Sequence, residues 1–347
     1  MLLIKSYCMK FVVGRSNLAC TIFVPFDCNN NCPFCTSKKM YKSIDLNPNE
    51  IMDKIKRING NYDITEFVLT GGEPFADLET TKKLVNLMKK RCFINTTLPL
   101  VKNIEDVIEF INNEPKIQGI NISRHIGHTF YGVADIDLID KIKKPIRINT
   151  VINSNFNFND FVKFVEKWGS DNRMINLRAD YTKLDTTSLK ARDEVETWLA
   201  KKYLYTGSGG CLVCHSSSFE ADNCFISYHR GLMFSSVKMG DKTYVNDVII
   251  TPDGKIYKDW DFKNDAEFNN WILKLPDTQS TEIMVVVDWN GNKEYVTYYY
   301  SGIGKNGISL TEHKEKSKKL SNKGQINDVI DALRKQLKGN LIYIHTN

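Results

Sequence analysis

The 347-residue sequence lacks a run of apolar residues long enough to cross a membrane. Its apolar start, residues 1–13, is interrupted by Lys5 and Lys10 and carries no small-residue cleavage site. The sequence therefore predicts neither a membrane protein nor an exported one. A cytoplasmic location is expected.

Low-complexity tracts and repeats of fixed period are also missing, which argues against a repeat array. With 42% hydrophobic and 25% charged residues, the composition is that of an ordinary globular chain, large enough for a barrel plus a smaller unit. The net charge of +6 is a mild bias. It permits an anionic substrate or RNA but requires neither.

No cysteine follows Cys224, and three of the nine cysteines, Cys28, Cys32 and Cys35, fall within eight positions. Without an export signal, such a group indicates metal binding rather than disulfides. The intervening asparagines and Pro33 favour a loop. Three thiolates at this spacing can hold three irons of a 4Fe–4S cluster and leave the fourth iron open. A zinc knuckle or three unrelated buried cysteines are the alternatives, although zinc usually takes four ligands in paired spacings.

Between residues 20 and 202, strand and helix patterns alternate. Strands are predicted at 19–25, 65–70, 92–97, 117–123, 146–152 and 174–180, and helices at 47–58, 77–90, 104–112, 135–143, 159–168 and 187–201. Six strand–helix units in one direction predict a parallel sheet with helices outside, most simply an open (β/α)6 barrel. Functional residues of such barrels lie at the carboxyl ends of the strands.

The second predicted strand ends in Gly71-Gly72-Glu73-Pro74. Paired glycines allow the backbone to lie against a ligand because they carry no side chain. Glu73 can accept charge-assisted hydrogen bonds from an ammonium group. The turn alone is common, but its place after the second strand, with the cysteine loop after the first, makes it informative.

Together the two motifs resemble those of the radical S-adenosylmethionine (radical SAM) enzymes, which share C-x3-C-x2-C and Gly-Gly-Glu-Pro. The resemblance implies a 4Fe–4S cluster that reductively cleaves S-adenosylmethionine to a 5′-deoxyadenosyl radical, which then abstracts hydrogen from a substrate. It also implies a partial TIM-like barrel and an electron donor such as flavodoxin or ferredoxin. The nearest branches in pattern are the molybdenum-cofactor cyclase, viperin and the peptide-modifying enzymes.

The resemblance extends to other strand ends. Ser123 and Arg124 occupy the place where relatives contact the ribose and carboxylate of the cofactor, and Asn149-Thr150-Val151 resembles a stretch in which the asparagine binds it. Arg178 lies among alternating polar residues of the sixth strand, which are costly inside a barrel unless partnered. A contact with cofactor or substrate and an internal Arg178–Asp180 network are both open. The predicted cofactor-binding residues are Gly71, Gly72, Glu73, Ser123, Arg124, Asn149 and Arg178.

A second group of metal-ligand residues follows the glycine-rich boundary at 207–210. The candidate ligands are Cys211, Cys214, Cys224 and His229. The cysteines resemble the auxiliary 4Fe–4S ligands of the cyclase and of peptide-modifying relatives. Alternatively, the three cysteines form a structural zinc site with His229 or His215 as fourth ligand.

The predicted fold class is α/β. An N-terminal strand segment covers residues 1–19, the partial barrel 20–206, a Cys-rich, β-rich metal-binding module 207–265, and a small α+β extension 266–347.

The sequence thus predicts a cytoplasmic radical SAM enzyme. A peptide or small-metabolite substrate is favoured because the downstream cysteine module resembles those branches. A nucleotide- or RNA-modifying enzyme is the alternative, suggested by the fifth strand and the basic charge. A noncatalytic zinc-containing binding module is the alternative of another class, against which Glu73 after Gly71-Gly72 speaks. No membrane partner is predicted.

Overall fold

The structure is a computed structural model. It describes residues 18–35, 37–43, 46–61, 64–180, 186–208, 216–229, 236–239, 242–245, 247–258, 260, 262, 271–272, 283–288, 295–304, 307–311, 329 and 341–346. The predicted segment 1–19 lies outside this part up to residue 17. The chain divides into two units, one comprising residues 1–184, 223–225 and 231–275, the other residues 185–222, 226–230 and 276–347.

The first unit is built on a parallel sheet whose first six strands lie side by side in chain order. These strands are β1 (Leu18–Phe23), β2 (Ile64–Thr70), β3 (Cys92–Thr96), β4 (Ile117–Ser123), β5 (Ile146–Ile152) and β6 (Arg173–Ala179). The helices between them are α1 (Lys38–Ser43), α2 (Pro48–Asn61), α3 (Leu78–Leu87), α4 (Ile104–Asn113), α5 (Ile136–Ile139) and α6 (Phe158–Trp168). The sheet is open, and the predicted α/β class with a partial (β/α)6 barrel is confirmed.

Apolar periodicity explains these elements. Helix α6 buries Phe161, Phe164, Val165 and Trp168, residues that share one face of a 3.6-residue period. The side chain of Asn157 caps this helix by accepting a hydrogen bond from the backbone N–H of Asp160 at 2.8 Å. The core therefore lies between the sheet and its helices.

Several local features differ from the prediction. Helix α5 ends at Ile139, short of the predicted residue 143. Pro145 disfavours a helical conformation in the residue before it, which is consistent with the early end. The short helix α1 and a 3-10 turn at Pro74–Ala76 were not predicted because single turns carry little periodicity.

One strand of this sheet comes from far along the chain. Strand β12 (Asp247–Ile250) lies parallel to β1, with Cys20 opposite Val248. The hydroxyl of Thr21 donates to Asp247 Oδ1 at 2.9 Å across 226 residues of sequence. A turn at Asp253-Gly254 then leads to β13 (Ile256–Tyr257), which pairs with β12 in the antiparallel direction. Such a distant pairing leaves no local sequence pattern, so the strand was not predicted to join the barrel.

The remaining described elements are mostly strands. The first unit adds a three-stranded sheet of β10 (Ser236–Met239), β11 (Lys242–Val245) and β14 (Trp271–Ile272). The second unit contains α7 (Thr186–Lys202), β7 (Leu204–Ser208) and β8 (Ser216–Glu220), and most of β9 (Phe225–His229). It also holds an antiparallel sheet in the order β17 (Gly307–Thr311), β16 (Tyr295–Gly304), β15 (Ile283–Asp288) and β18 (Leu341–Thr346). Within the described residues, no helix has the length and apolar character needed to span a bilayer.

Candidate functional site

The three motif cysteines lie on the loop that follows β1. Cys28 and Cys32 are half-buried and Cys35 is exposed. The backbone N–H of Cys35 donates to the carbonyl of Cys32 at 3.1 Å, which turns the loop back on itself. Burial, followed by repulsion from Cys35 and Cys28, raises the pKa of Cys32 to about 12. The three thiols are therefore close enough for their charges to interact.

This thiol set is compatible with an iron–sulfur cluster. In the described part of the chain, no three His, Cys, Asp or Glu side chains are arranged as ligands of one metal ion. A 4Fe–4S cluster attaches each thiolate to a different iron, so its ligands stand farther apart than those of one ion. Thiols that resist ionisation on their own lose their protons when they coordinate a metal cation. The loop thus matches a three-cysteine cluster site.

Gly71 and Gly72 are required by the chain itself. A Cβ at Gly72 would lie 1.8 Å from the carbonyl oxygen of Phe26, and one at Gly71 would lie 2.2 Å from Tyr41 Oη. Gly71 also has a φ of +79°, which disfavours other residues. The sequence interpretation assigned these glycines to the approach of a ligand. The structure shows that they also let the start of the cysteine loop pack on the end of β2.

We expect Gly72→Ala to displace the cysteine loop. The added methyl group cannot coexist with Phe26 O, and overpacking of this kind typically costs about 1–3 kcal/mol. The variant should melt at a lower temperature and bind less iron on reconstitution. Gly60→Ala is the matched control, because a Cβ there meets nothing within 4 Å and Gly60 lies in α2. It should leave iron binding unchanged and raise stability slightly. Equal melting and iron content in both variants would contradict the packing role.

Glu73 is buried at the carboxyl end of β2, with 4% of its surface exposed. Its Oε1 accepts from Phe75 N at 3.1 Å and from the Thr96 hydroxyl at 2.5 Å. Its Oε2 accepts from the backbone N–H and the hydroxyl of Thr97, at 2.7 and 2.6 Å. Burial raises the pKa of Glu73, and these hydrogen bonds oppose the rise. The carboxylate therefore joins the ends of β2 and β3, and two of its four donors are hydroxyls that can rotate to admit an ammonium group.

Ser123 and Asn149 are brought together on the inner face of the sheet. They stand opposite one another in the register of β4 and β5. Asn176 on β6 donates from Nδ2 to Asn149 Oδ1 at 2.6 Å. With its carbonyl oxygen engaged, Asn149 retains its two N–H groups as donors. Arg178 lies two residues beyond Asn176 on the same face, because side chains alternate along a strand.

Sequence reasoning missed a second amide pair on this face. Asn121 on β4 donates to Asn95 Oδ1 at 2.6 Å, and Asn95 donates to the hydroxyl of Thr70 at 3.0 Å. Among the described atoms, Asn121 Oδ1, Asn176 Oδ1 and Arg178 Nε are buried without a hydrogen-bond partner. A buried polar group left unpaired costs about 1–3 kcal/mol, so these atoms suit a ligand with donors and acceptors. The available signal was an asparagine within each of four consecutive strands.

Arg124 does not join the inner-face residues. Strand β4 ends at Ser123, and the Arg124 guanidinium donates to the carbonyls of Thr97 at 2.8 Å and Ala134 at 2.5 Å. It lies 5.4 Å from the ring of Trp168 on α6 and lines a cavity of about 350 Å³. Burial lowers its pKa to about 10. Through its contacts with backbone carbonyls and rings, Arg124 stabilises the loop after β4. The predicted contact of Arg124 with the cofactor stays a prediction.

The predicted second metal site falls largely outside the described residues, since Cys211, Cys214 and His215 are not among them. Cys224 is buried against Gly169. A Cβ on Gly169 would lie 2.5 Å from the sulfur of Cys224. Burial raises the pKa of this thiol to about 12.

His229 lies within 3.0 Å of the Ser227 hydroxyl, at the end of β9. The assignment of Cys224 and His229 to a second metal site stays a prediction.

Residues 22–167 match the family model of the Radical SAM superfamily. This range contains the cysteine loop, Glu73 and strands β2 to β5. The first unit thus contains a radical SAM domain, which indicates an enzyme. Such a domain implies a 4Fe–4S cluster and S-adenosylmethionine as cofactors.

Three solved structures are similar to the chain. Streptococcus suis SuiB bound to precursor peptide SuiA shows 15% identity and a TM-score of 0.48, covering 72% of this chain and 64% of that one. SuiB bound to S-adenosylmethionine shows 15% identity and a TM-score of 0.47, covering 75% and 63%. Native anSMEcpe with bound AdoMet and Cp18Cys peptide shows 16% identity and a TM-score of 0.46, covering 74% and 76%. The chain thus spans less than two thirds of the SuiB chains. A comparison with curated protein sequences finds no match.

Proposed function

We propose that the chain abstracts hydrogen from a peptide or small-metabolite substrate after reductive cleavage of S-adenosylmethionine. The observation that carries this proposal is the shared position of the cysteine loop and Glu73 at one end of the sheet. Gly72 packs on Phe26 at the start of that loop. Burial, and to a smaller extent the charge of Glu73, raises the pKa of Cys28. Cofactor and cluster can therefore occupy adjacent sites.

Different residues of the chain bind the cluster and the cofactor. When bound, the cluster supplies the electron that cleaves the cofactor to methionine and a 5′-deoxyadenosyl radical. Cys28, Cys32 and Cys35 hold this cluster, and Glu73 accepts hydrogen bonds from the cofactor's ammonium group. Ser123 and Asn149 offer a hydroxyl and N–H donors beside it. Gly71 and Gly72 keep the cysteine loop in place.

The inner face supports an amide-containing substrate. Its buried groups without partners include two carboxamide oxygens, Asn121 Oδ1 and Asn176 Oδ1, and one guanidinium N–H, Arg178 Nε. A peptide group presents both an N–H donor and a carbonyl acceptor, so it can complement these atoms. Flavodoxin or ferredoxin is the proposed electron donor.

Anaerobic reconstitution with iron and sulfide tests the function. Reduction in the presence of S-adenosylmethionine should yield 5′-deoxyadenosine, measured by chromatography. A single 4Fe–4S cluster gives about four irons per chain, whereas an auxiliary cluster on Cys211, Cys214 and Cys224 would give about eight. Four irons with one zinc would favour the structural zinc site, with His229 or His215 as the fourth ligand. A fully loaded, reduced cluster that forms no 5′-deoxyadenosine would refute the proposed function.

A further inference from the structure

The loop that follows β4 brings a histidine to the cysteine loop. His128 Nε2 lies 3.5 Å from Cys32 Sγ, within reach of an N–H···S hydrogen bond. Its ring stands edge to face with Phe130, at 4.9 Å between centroids, and with Phe34, at 6.2 Å. The imidazole is thus held by aromatic contacts on the loop side and on the cysteine side.

The position of this loop is fixed by the neighbouring strand. Hydrogen bonds tie residues 125–127 to the end of β5 and the turn after it. They run from Val151 N to His125 Nδ1 (3.2 Å), from Asn153 Nδ2 to Ile126 O (2.8 Å) and from Asn155 Nδ2 to Gly127 O (3.2 Å). Gly127 has a φ of +70°, and a Cβ there would lie 2.4 Å from Asn155 Cβ. These contacts therefore position His128 beside Cys32.

The direction of this hydrogen bond follows from the chemistry of a cluster ligand. A thiolate bound to iron carries no proton, so the proton of the contact must belong to Nε2 of His128. Hydrogen bonds to the sulfurs are among the factors that set the reduction potential of an iron–sulfur cluster. They stabilise the reduced cluster more than the oxidised one, because reduction makes the sulfurs more negative.

We propose that His128 donates its Nε2–H to the Cys32 thiolate of the bound cluster and thereby raises the cluster's reduction potential. The inference rests on the proposed function, in which Cys32 is a cluster ligand. His128 acts through Cys32 and has no assigned contact with substrate. Its role is to make the cluster easier to reduce by the electron donor.

The test compares His128→Phe with His128→Gln in fully reconstituted protein, by redox titration followed by electron paramagnetic resonance. Phenylalanine keeps a ring against Phe34 and Phe130 but has no N–H, so the midpoint potential should become more negative. Glutamine retains an amide N–H at similar reach, so its potential should stay close to that of the unmodified protein. Tyr131→Phe is the control, because Tyr131 is 83% exposed on the same loop.

The outcomes separate this inference from the proposed function. An unchanged or more positive potential in His128→Phe would overturn it, as would an equal shift in Tyr131→Phe. Failure of His128→Phe alone to assemble a cluster would assign the histidine to assembly and also overturn it. If the unmodified protein forms no 4Fe–4S centre, the proposed function itself fails.

Discussion

Cys32→Ala should abolish the stable 4Fe–4S centre and, with it, the reductant-dependent formation of 5′-deoxyadenosine. The substitution removes one of three thiolates, and the remaining two cannot hold three corners of the cluster. Cys32 is also the thiol that His128 contacts. Iron and sulfide analysis, the visible absorption spectrum and chromatography of the products measure the two effects.

Cys92→Ala is the matched control for this experiment. Cys92 is fully buried in β3, and burial raises the pKa of its thiol to about 12. Its loss should cost some packing energy but leave the cysteine loop and the iron content intact. Cofactor cleavage by Cys32→Ala at the rate of the unmodified enzyme would end the assignment of this loop to the cluster.

The parallel sheet was predictable because its signals are local. Strands β4 and β5 have the predicted bounds, since runs of apolar residues between turn signals define buried strands. The family motifs also lie on contiguous residues, so the cysteine loop and Glu73 could be placed at the ends of the first two strands. Apolar periodicity and motif spacing together were enough to predict the barrel.

Other features depend on contacts that no local pattern records. The pairing of β12 with β1 joins distant segments. Arg124 turns to the helix side because β4 ends one residue before it and Trp168 provides a ring surface. The packing of Gly72 on Phe26 and the approach of His128 to Cys32 likewise require the three-dimensional path of two loops. Sequence reasoning therefore found the motif residues but not the residues that hold them.

For Glu73→Gln we expect a weaker affinity for S-adenosylmethionine, by about ten- to a hundredfold at 1.4 kcal/mol per decade. The substitution removes the charge that pairs with the cofactor's ammonium group, a hydrogen bond worth roughly 1.5–3 kcal/mol. The cluster should still assemble, because no cysteine is changed. Equilibrium dialysis of the reconstituted protein measures the affinity. Glu79→Gln is the control, since Glu79 is an exposed residue in the first turn of α3.

Glu73→Gln should also lower the stability of the folded protein, for a reason separate from the lost charge. Each carboxylate oxygen of Glu73 accepts a backbone N–H, one from Phe75 and one from Thr97. In either orientation, the glutamine NH2 group would face one of these donors, and neither can rotate away. The variant should therefore melt at a lower temperature even without cofactor.

Affinity in the unmodified enzyme should also fall as the pH is lowered, because burial raises the pKa of Glu73 and protonation removes the charge. Glu73→Gln should lack that pH dependence. A lower melting temperature with unchanged affinity would instead make Glu73 an anchor between β2 and β3 alone.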